Sequence, residues 1–261
     1  MSSSTISTSA ACSIADDDRT VSHHETDRLL AEQRRYYAAR APEYDQWWER
    51  RGRYDRGEDE NRIWLSEVAS LQQLVDAAEL TGDVLELAGG TGNWTVRLAQ
   101  TAARLTVLDA SLEMIDRNRR RIREIATNCP VEYRQTDLFA WQPQREYDAV
   151  FFGFWLSHVP ADALDAFLKQ AIAAVRPGGR LVIVDSRRQA LSSSPDQPPP
   201  AEGIDRSDRI LNDGSRFEIV KRYFTPEELR SQLTPLGFDV TAGVTDTHFV
   251  HCVAVKQIPS T

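Results

Sequence analysis

The sequence predicts an α/β protein built on a mostly parallel sheet with helices on both faces. Short, continuous apolar stretches at 83–87, 104–108, 131–134, 147–152 and 180–185 alternate with helical stretches near 94–101, 112–125 and 161–175. Strands that are apolar along their whole length belong in a sheet covered on both sides. The segment "DVLELAGGTGNWTVRLA" (residues 83–99) runs from a strand through clustered glycines into a helix. The last two apolar stretches, 239–244 and 248–256, have no helix between them, so they are expected to pair as an antiparallel hairpin at the sheet edge.

The elements follow in order. Residues 1–22 are Ser/Thr-rich and then acidic, with little to bury, and are expected to be a disordered tail. They lack the basic start and apolar core of a signal peptide. No apolar run in the chain approaches the roughly 18–20 residues that span a bilayer. Residues 23–80 read as an N-terminal helical cap. Its first helix leads into "YYAARAPEYDQWWERRGRYDRG", which Pro42 and Gly52 interrupt, and its second, over 61–80, places Trp64, Val68, Leu71, Leu74, Val75 and Ala78 on one face. Residues 81–261 form the sheet domain. Within it, 187–222 is an insert: a Ser/Pro loop and a hairpin turning at Asn212-Asp213-Gly214. Thr225, Pro226 and Glu228 then start a helix with a capping box.

Composition narrows the function. A chain of 261 residues with 41% hydrophobic and 27% charged residues builds a full core. Its net charge of −8 repels nucleic acid and anionic membrane on average. Cys12, Cys129 and Cys252 have no metal-like spacing and suit a reducing compartment. A cytoplasmic protein with a small-molecule partner, monomeric or homodimeric, is expected.

The glycine turn admits two ligand classes. A dinucleotide site needs G-x-G-x-x-G, but in "ELAGGTGNW" Gly90-Thr91-Gly92 is followed by Asn93-Trp94-Thr95. The third glycine is missing. An acid, Glu86, precedes the turn instead, which disfavours a pyrophosphate and suits a ligand carrying a free amine.

Glu86, Gly90 and Gly92 resemble the first motif of the class I S-adenosylmethionine (SAM)-dependent methyltransferases, with Ala88 where that family has its first glycine. The resemblance extends over roughly 36–256. It implies a Rossmann-like fold of seven strands with an antiparallel C-terminal edge strand, and SAM as cofactor. Gly89 belongs to the same turn. Asp109 in "LTVLDAS" matches the acid that accepts from both ribose hydroxyls, with Ala110 beside it. Met114, Asp137 and Leu138 match positions around adenine. Gly153 and Phe154, in "YDAVFFGFWLSHVP", match the end of the fourth strand beside the sulfonium. "YYAARAPEYD" is similar to the N-terminal lid segment of small-molecule members, which implies Tyr37, Arg40 and Tyr44 as contacts to the methionine end.

Methyl transfer from a sulfonium needs an aligned acceptor and, for a hydroxyl, a base. His158, just past the fourth strand, is the candidate base, with Asp185 as its assistant. Trp47, Trp48 and Trp155 are candidate walls for the acceptor. No metal is expected to be required, with magnesium left open. O-methylation of a sugar or natural product is the leading expectation, and the pattern looks like actinobacterial sugar-directed O-methyltransferases. N-methylation, a non-catalytic SAM-binding protein and an NAD(P)-dependent oxidoreductase are the alternatives.

Overall fold

The computed structural model describes the backbone of residues 12–259 and the side chains from Glu25 onward. Helix α1 (Cys12–Arg40), the short α2 (Tyr44–Trp48) and α3 (Glu58–Ala77) form the cap. The expected tail at 1–22 meets two fates. Residues 1–11 lie outside the described residues, whereas from Cys12 the chain is already helical and runs without a break into the predicted helix. Extending an existing helix adds a hydrogen bond per residue without a new nucleation step, so the change of composition at residue 22 makes no structural boundary.

The sheet domain follows as β1 (Gly82–Leu87), α4 (Thr95–Leu98), β2 (Ala102–Asp109), α5 (Leu112–Arg123), β3 (Val131–Gln135), β4 (Tyr147–Gly153), α6 (Leu164–Ala173) and β5 (Val175–Ser186). The insert holds a separate hairpin, β6 (Arg206–Ile210) and β7 (Arg216–Val220), and the chain ends with α7 (Pro226–Leu233), β8 (Phe238–Val244) and β9 (Phe249–Lys256). The seven-stranded sheet has the order β3-β2-β1-β4-β5-β9-β8. Its first five strands are mutually parallel, and β9 runs antiparallel between β5 and the edge strand β8. Strand β5 starts earlier than predicted because Val175 pairs with Tyr147 before a register shift at the Pro-Gly-Gly stretch.

Strand order reverses between β1 and β4, and ligands of such sheets bind in the crevice at that reversal. Buried side chains pack in separate cores, one with α6 and α7, the other with α3 and α4. Trp64, Val68, Leu71 and Val75 form the inner face of α3, as their spacing predicts.

Cap and sheet are joined by a buried carboxylate. Glu67 of α3 accepts from the amides of Thr247 (3.0 Å) and His248 (2.8 Å), and from the Thr245 hydroxyl, so it pins the β8–β9 turn. Glu67→Ala leaves these donors unpaired, at a cost of about 1–3 kcal/mol. A calorimetric scan is expected to show Tm lowered by about 2–4 °C per kcal/mol lost. An unchanged Tm would show that the turn holds without Glu67.

Candidate active site

At the end of β1 the backbone turns through Ala88, Gly89 and Gly90. Ala88 (φ 55°) and Gly90 (φ 53°) are left-handed, a conformation that costs a residue with a Cβ about 1–2 kcal/mol. The turn is also tightly enclosed. A Cβ on Gly89 would lie 2.3 Å from Cγ1 of Val107, and one on Gly92 2.8 Å from Oδ1 of Asn118. Glu86 lies beneath this turn, 2% exposed, and accepts from the Thr95 hydroxyl at 2.6 Å. Burial pushes its carboxyl up to about 8, against the Thr95 hydrogen bond, so at neutral pH it is mostly protonated. Glu86 is not among the residues that line the chamber described next; its side chain faces α4 and braces the turn from below.

Asp109, at the end of β2, reaches the wall of a chamber of about 690 Å³. One carboxylate oxygen accepts from the Gly90 amide at 2.8 Å and the other from the Ser111 amide at 2.9 Å. Burial raises this carboxyl above the ordinary range, opposed by the Ser111 and Gly90 amides. Each oxygen keeps a further lone pair, enough for the two hydroxyls of a ribose. Ala88, Gly90, Ala110 and Met114 line the same chamber, Asp137 and Leu138 stand at its side, and Gly153 and Phe154 stand at the end of β4. Tyr37 and Tyr44 come in from the cap. Gly89 borders a smaller recess next to Trp48, and Gly92 packs on α5. With a diol acceptor at one end and Met114 and Leu138 along the wall, the chamber fits SAM.

Helix α1 adds Leu30, Gln33 and Arg34, which the sequence reading missed. Arg34 pairs with Asp137 at 3.0 Å. Gln33 donates to the His158 carbonyl and accepts from the Val220 amide, both at 3.0 Å. Trp155, expected on the acceptor side, lines the cofactor chamber beside Phe139. Its position next to the left-handed Phe154 (φ 57°) reverses the alternation a continued strand would give.

A second chamber of about 580 Å³ adjoins the first. Arg40, Arg187, Arg209 and Lys221 line it, with Trp47, Tyr54, Tyr223 and His158, and no Asp or Glu is among its lining residues. Arg40 (8% exposed) is caged by the rings of Tyr36, Tyr44 and Tyr54, and its Nε has no hydrogen-bond partner. Arg209 (8% exposed) donates to the Ser207 hydroxyl and the Asp208 carbonyl. Lys221 (7% exposed) donates to Ser157 Oγ at 2.9 Å. Burial lowers its ammonium to about 8, with Asp185 opposing. Asp185 itself reaches neither chamber. It is 1% exposed, accepts from the Ser157 and Ser186 amides, and lies 3.9 Å from Lys221, so its predicted help to a base is replaced by anchoring this lysine.

His158 has both ring nitrogens engaged: Nδ1 with the Val220 carbonyl and Nε2 with the Tyr37 hydroxyl, each at 2.8 Å. Burial, then the charge of Lys221, hold its pKa well below the usual histidine range. Among the described residues no group of His, Cys, Asp and Glu is arranged to hold a metal.

A family profile described as a methyltransferase domain matches residues 84–179. The structure of DhpI in a complex with SAM and HEP is 36% identical, with a TM-score of 0.71, over 87% of this chain and 97% of that one. This chain belongs to the class I SAM-dependent methyltransferases. The DhpI complex with S-adenosylhomocysteine (SAH) gives 36% identity and a TM-score of 0.68 over 88% and 98% of the two chains. The ubiquinone/menaquinone biosynthesis C-methyltransferase UbiE of Enterobacter sp. (strain 638) is 26% identical over 188 residues, 63% of this chain and 72% of its own. Magnesium protoporphyrin IX methyltransferase (ChlM) from Synechocystis PCC 6803, at 19% identity and a TM-score of 0.56 over 86% and 95% of the two chains, shares the fold.

Asp109 is expected to accept from the ribose of SAM, and a hydrogen bond to a charged group contributes about 1.5–3 kcal/mol, which Asp109→Ala would remove. SAM affinity measured by calorimetry is expected to fall more than tenfold, with the circular dichroism spectrum unchanged. Unaltered affinity would place the ribose elsewhere.

Proposed function

We propose that this methyltransferase acts on a small acidic metabolite, moving the methyl group of SAM to an ionised oxygen of a phosphate, phosphonate or carboxylate and releasing a methyl ester. One observation carries the reading. Arg40, Arg209 and Lys221, all more than nine-tenths buried, converge with Arg187 on a chamber without an acidic lining residue. Buried charge is expensive unless paired; Lys221 has Asp185 at 3.9 Å, and an anionic acceptor would supply a charged partner for Arg40 and Arg209. The basic groups are mostly buried in a chain of net charge −8, which favours a small acceptor over a polyanion. The DhpI structure, a complex with SAM and HEP together, supports a site for a second ligand beside the cofactor.

SAM supplies an activated methyl on a sulfonium when bound. The residues of the chain then have to hold the acceptor oxygen in line and exclude water. An ionised oxygen is already a nucleophile and has no proton to lose. This suits a chamber whose histidine is held neutral and hydrogen-bonded on both sides. A neutral sugar hydroxyl with His158 as base fits less well, because it would leave Arg40 and Arg209 without a charged partner. A protonated amine would be repelled by the same cations.

Arg209→Ala removes one charged donor and is expected to raise acceptor KM at least tenfold with SAM affinity unchanged. Lys221 loses its proton near pH 8, so the chamber is one charge less positive above that pH. The profile of kcat/KM for the acceptor is therefore expected to fall as pH rises through about 8. A panel of phosphates, phosphonates, carboxylates, neutral sugars and amines, read by mass spectrometry, decides the acceptor class. Methylation of neutral sugars alone would overturn the reading.

A further inference from the structure

The basic chamber has a neighbour on each of two sides. Tyr37, Tyr44 and Phe154 line both it and the cofactor chamber. Arg187 and Tyr223 line both it and an open groove of about 1500 Å³, which lies between the insert and the start of α7 with Val244 of β8 at its side. Among the described residues none lines both the cofactor chamber and the groove, so the basic chamber is the passage from one to the other. Tyr223, half-buried, is the partition at the outer end. Its ring centroid lies 5.1 Å from the Lys221 ammonium, which belongs to the chamber, and 5.1 Å from the Arg188 guanidinium, which belongs to the groove.

In-line transfer requires the ionised oxygen of the acceptor to face the cofactor chamber. Whatever the acidic group is attached to then points away from SAM, toward the end that Arg187 and Tyr223 share with the groove. The chemistry of the groove differs from that of the chamber. Its ions largely pair with one another or with neighbours: Arg222 with Asp205 at 3.3 Å, and Glu227 with Arg230 at 3.0 Å, while Arg188 donates to the Pro200 carbonyl. Pro226 and the half-exposed Val244 add apolar surface. Nothing there calls for a second charge, and a neutral polar chain fits both kinds of wall.

We propose that this groove is an outer subsite for the acceptor: the acceptor is an elongated molecule whose acidic end enters the basic chamber, while its uncharged, polar tail passes Tyr223 and lies in the groove. The proposal rests on the acidic-acceptor reading and adds to it the shape of the molecule and the place of its far end.

The test holds the acidic head constant and lengthens the tail. Initial rates of the full chain with SAM are measured by mass spectrometry for methyl phosphate and for the monophosphates of ethylene, diethylene and tetraethylene glycol. From the first to the last of these, KM is expected to fall roughly fivefold, the effect of partly covering a few methylene-sized groups. Val244→Trp on β8 and Glu202→Trp on the insert narrow the groove, and neither residue lines the basic chamber. Combined, they should abolish the advantage of the long tails and leave KM for methyl phosphate and SAM affinity as they were, which also shows that the variant folds. A KM indifferent to tail length in the unaltered protein would overturn the proposal, as would an advantage that survives both tryptophans. Equal loss for every ester in the double variant would make the groove an entrance and overturn it too. If no ester is methylated, the acceptor reading falls and the proposal with it, a result distinct from methylation that ignores the tail.

Discussion

The whole site depends on how closely the backbone after β1 approaches β2 and α5. Gly89 lies against Val107, and Gly92 against Asn118, at distances that leave no room for a Cβ. That contact sets the Gly90 amide 2.8 Å from Asp109 and so fixes both the turn and the acid at the end of β2. Asn118 completes the arrangement by donating to the Gly89 carbonyl and to Thr95, which in turn holds Glu86. One close approach thereby orders two strand ends, two helices and the mouth of the cofactor chamber. Ala88 keeps a left-handed conformation without the freedom of glycine, and such strain persists where surrounding contacts over-determine the backbone.

Charge is distributed with equal consequence. The chain is acidic overall, yet the chamber beside the cofactor gathers Arg40, Arg187, Arg209 and Lys221. They come from the cap, the end of β5 and the insert hairpin, so the chamber exists only when all three are assembled. Arginines make that assembly hold together. Arg56 donates to the Ser193 and Ala190 carbonyls at 2.8 and 2.9 Å, Arg50 to Leu191 and Arg53 to Ile210. Trp47 adds a bond to the Ser192 carbonyl at 2.8 Å. Cap and insert thus form one cover over the basic chamber.

Sequence made legible whatever is local. Continuous apolar stretches marked the strands, the glycine turn marked the ligand, and the acid ending the second strand marked Asp109. Each of these signals lies within a few neighbouring residues, and each has a direct backbone cause. The basic chamber was not legible in that way, because residues 40, 187, 209 and 221 share no local pattern and meet only through tertiary packing. Gln33 and Arg34 escaped for a related reason: on a long polar helix nothing in the periodicity says which polar residues face a cavity. Glu86 and Asp185 were seen as acids at strand ends, but burial decides their roles. One is pushed toward protonation beneath the turn, and the other is spent on two amides and a lysine.

The central claim is that the chamber beside the cofactor is built for an anion. Its most direct test is calorimetric titration of the SAH-loaded protein with inorganic phosphate at neutral pH, with glucose as the uncharged control. Saturable binding of one phosphate per chain is expected, weakened at least tenfold in Arg209→Ala, with no heat from glucose. Absence of phosphate binding, or binding that is the same in Arg209→Ala, would contradict it.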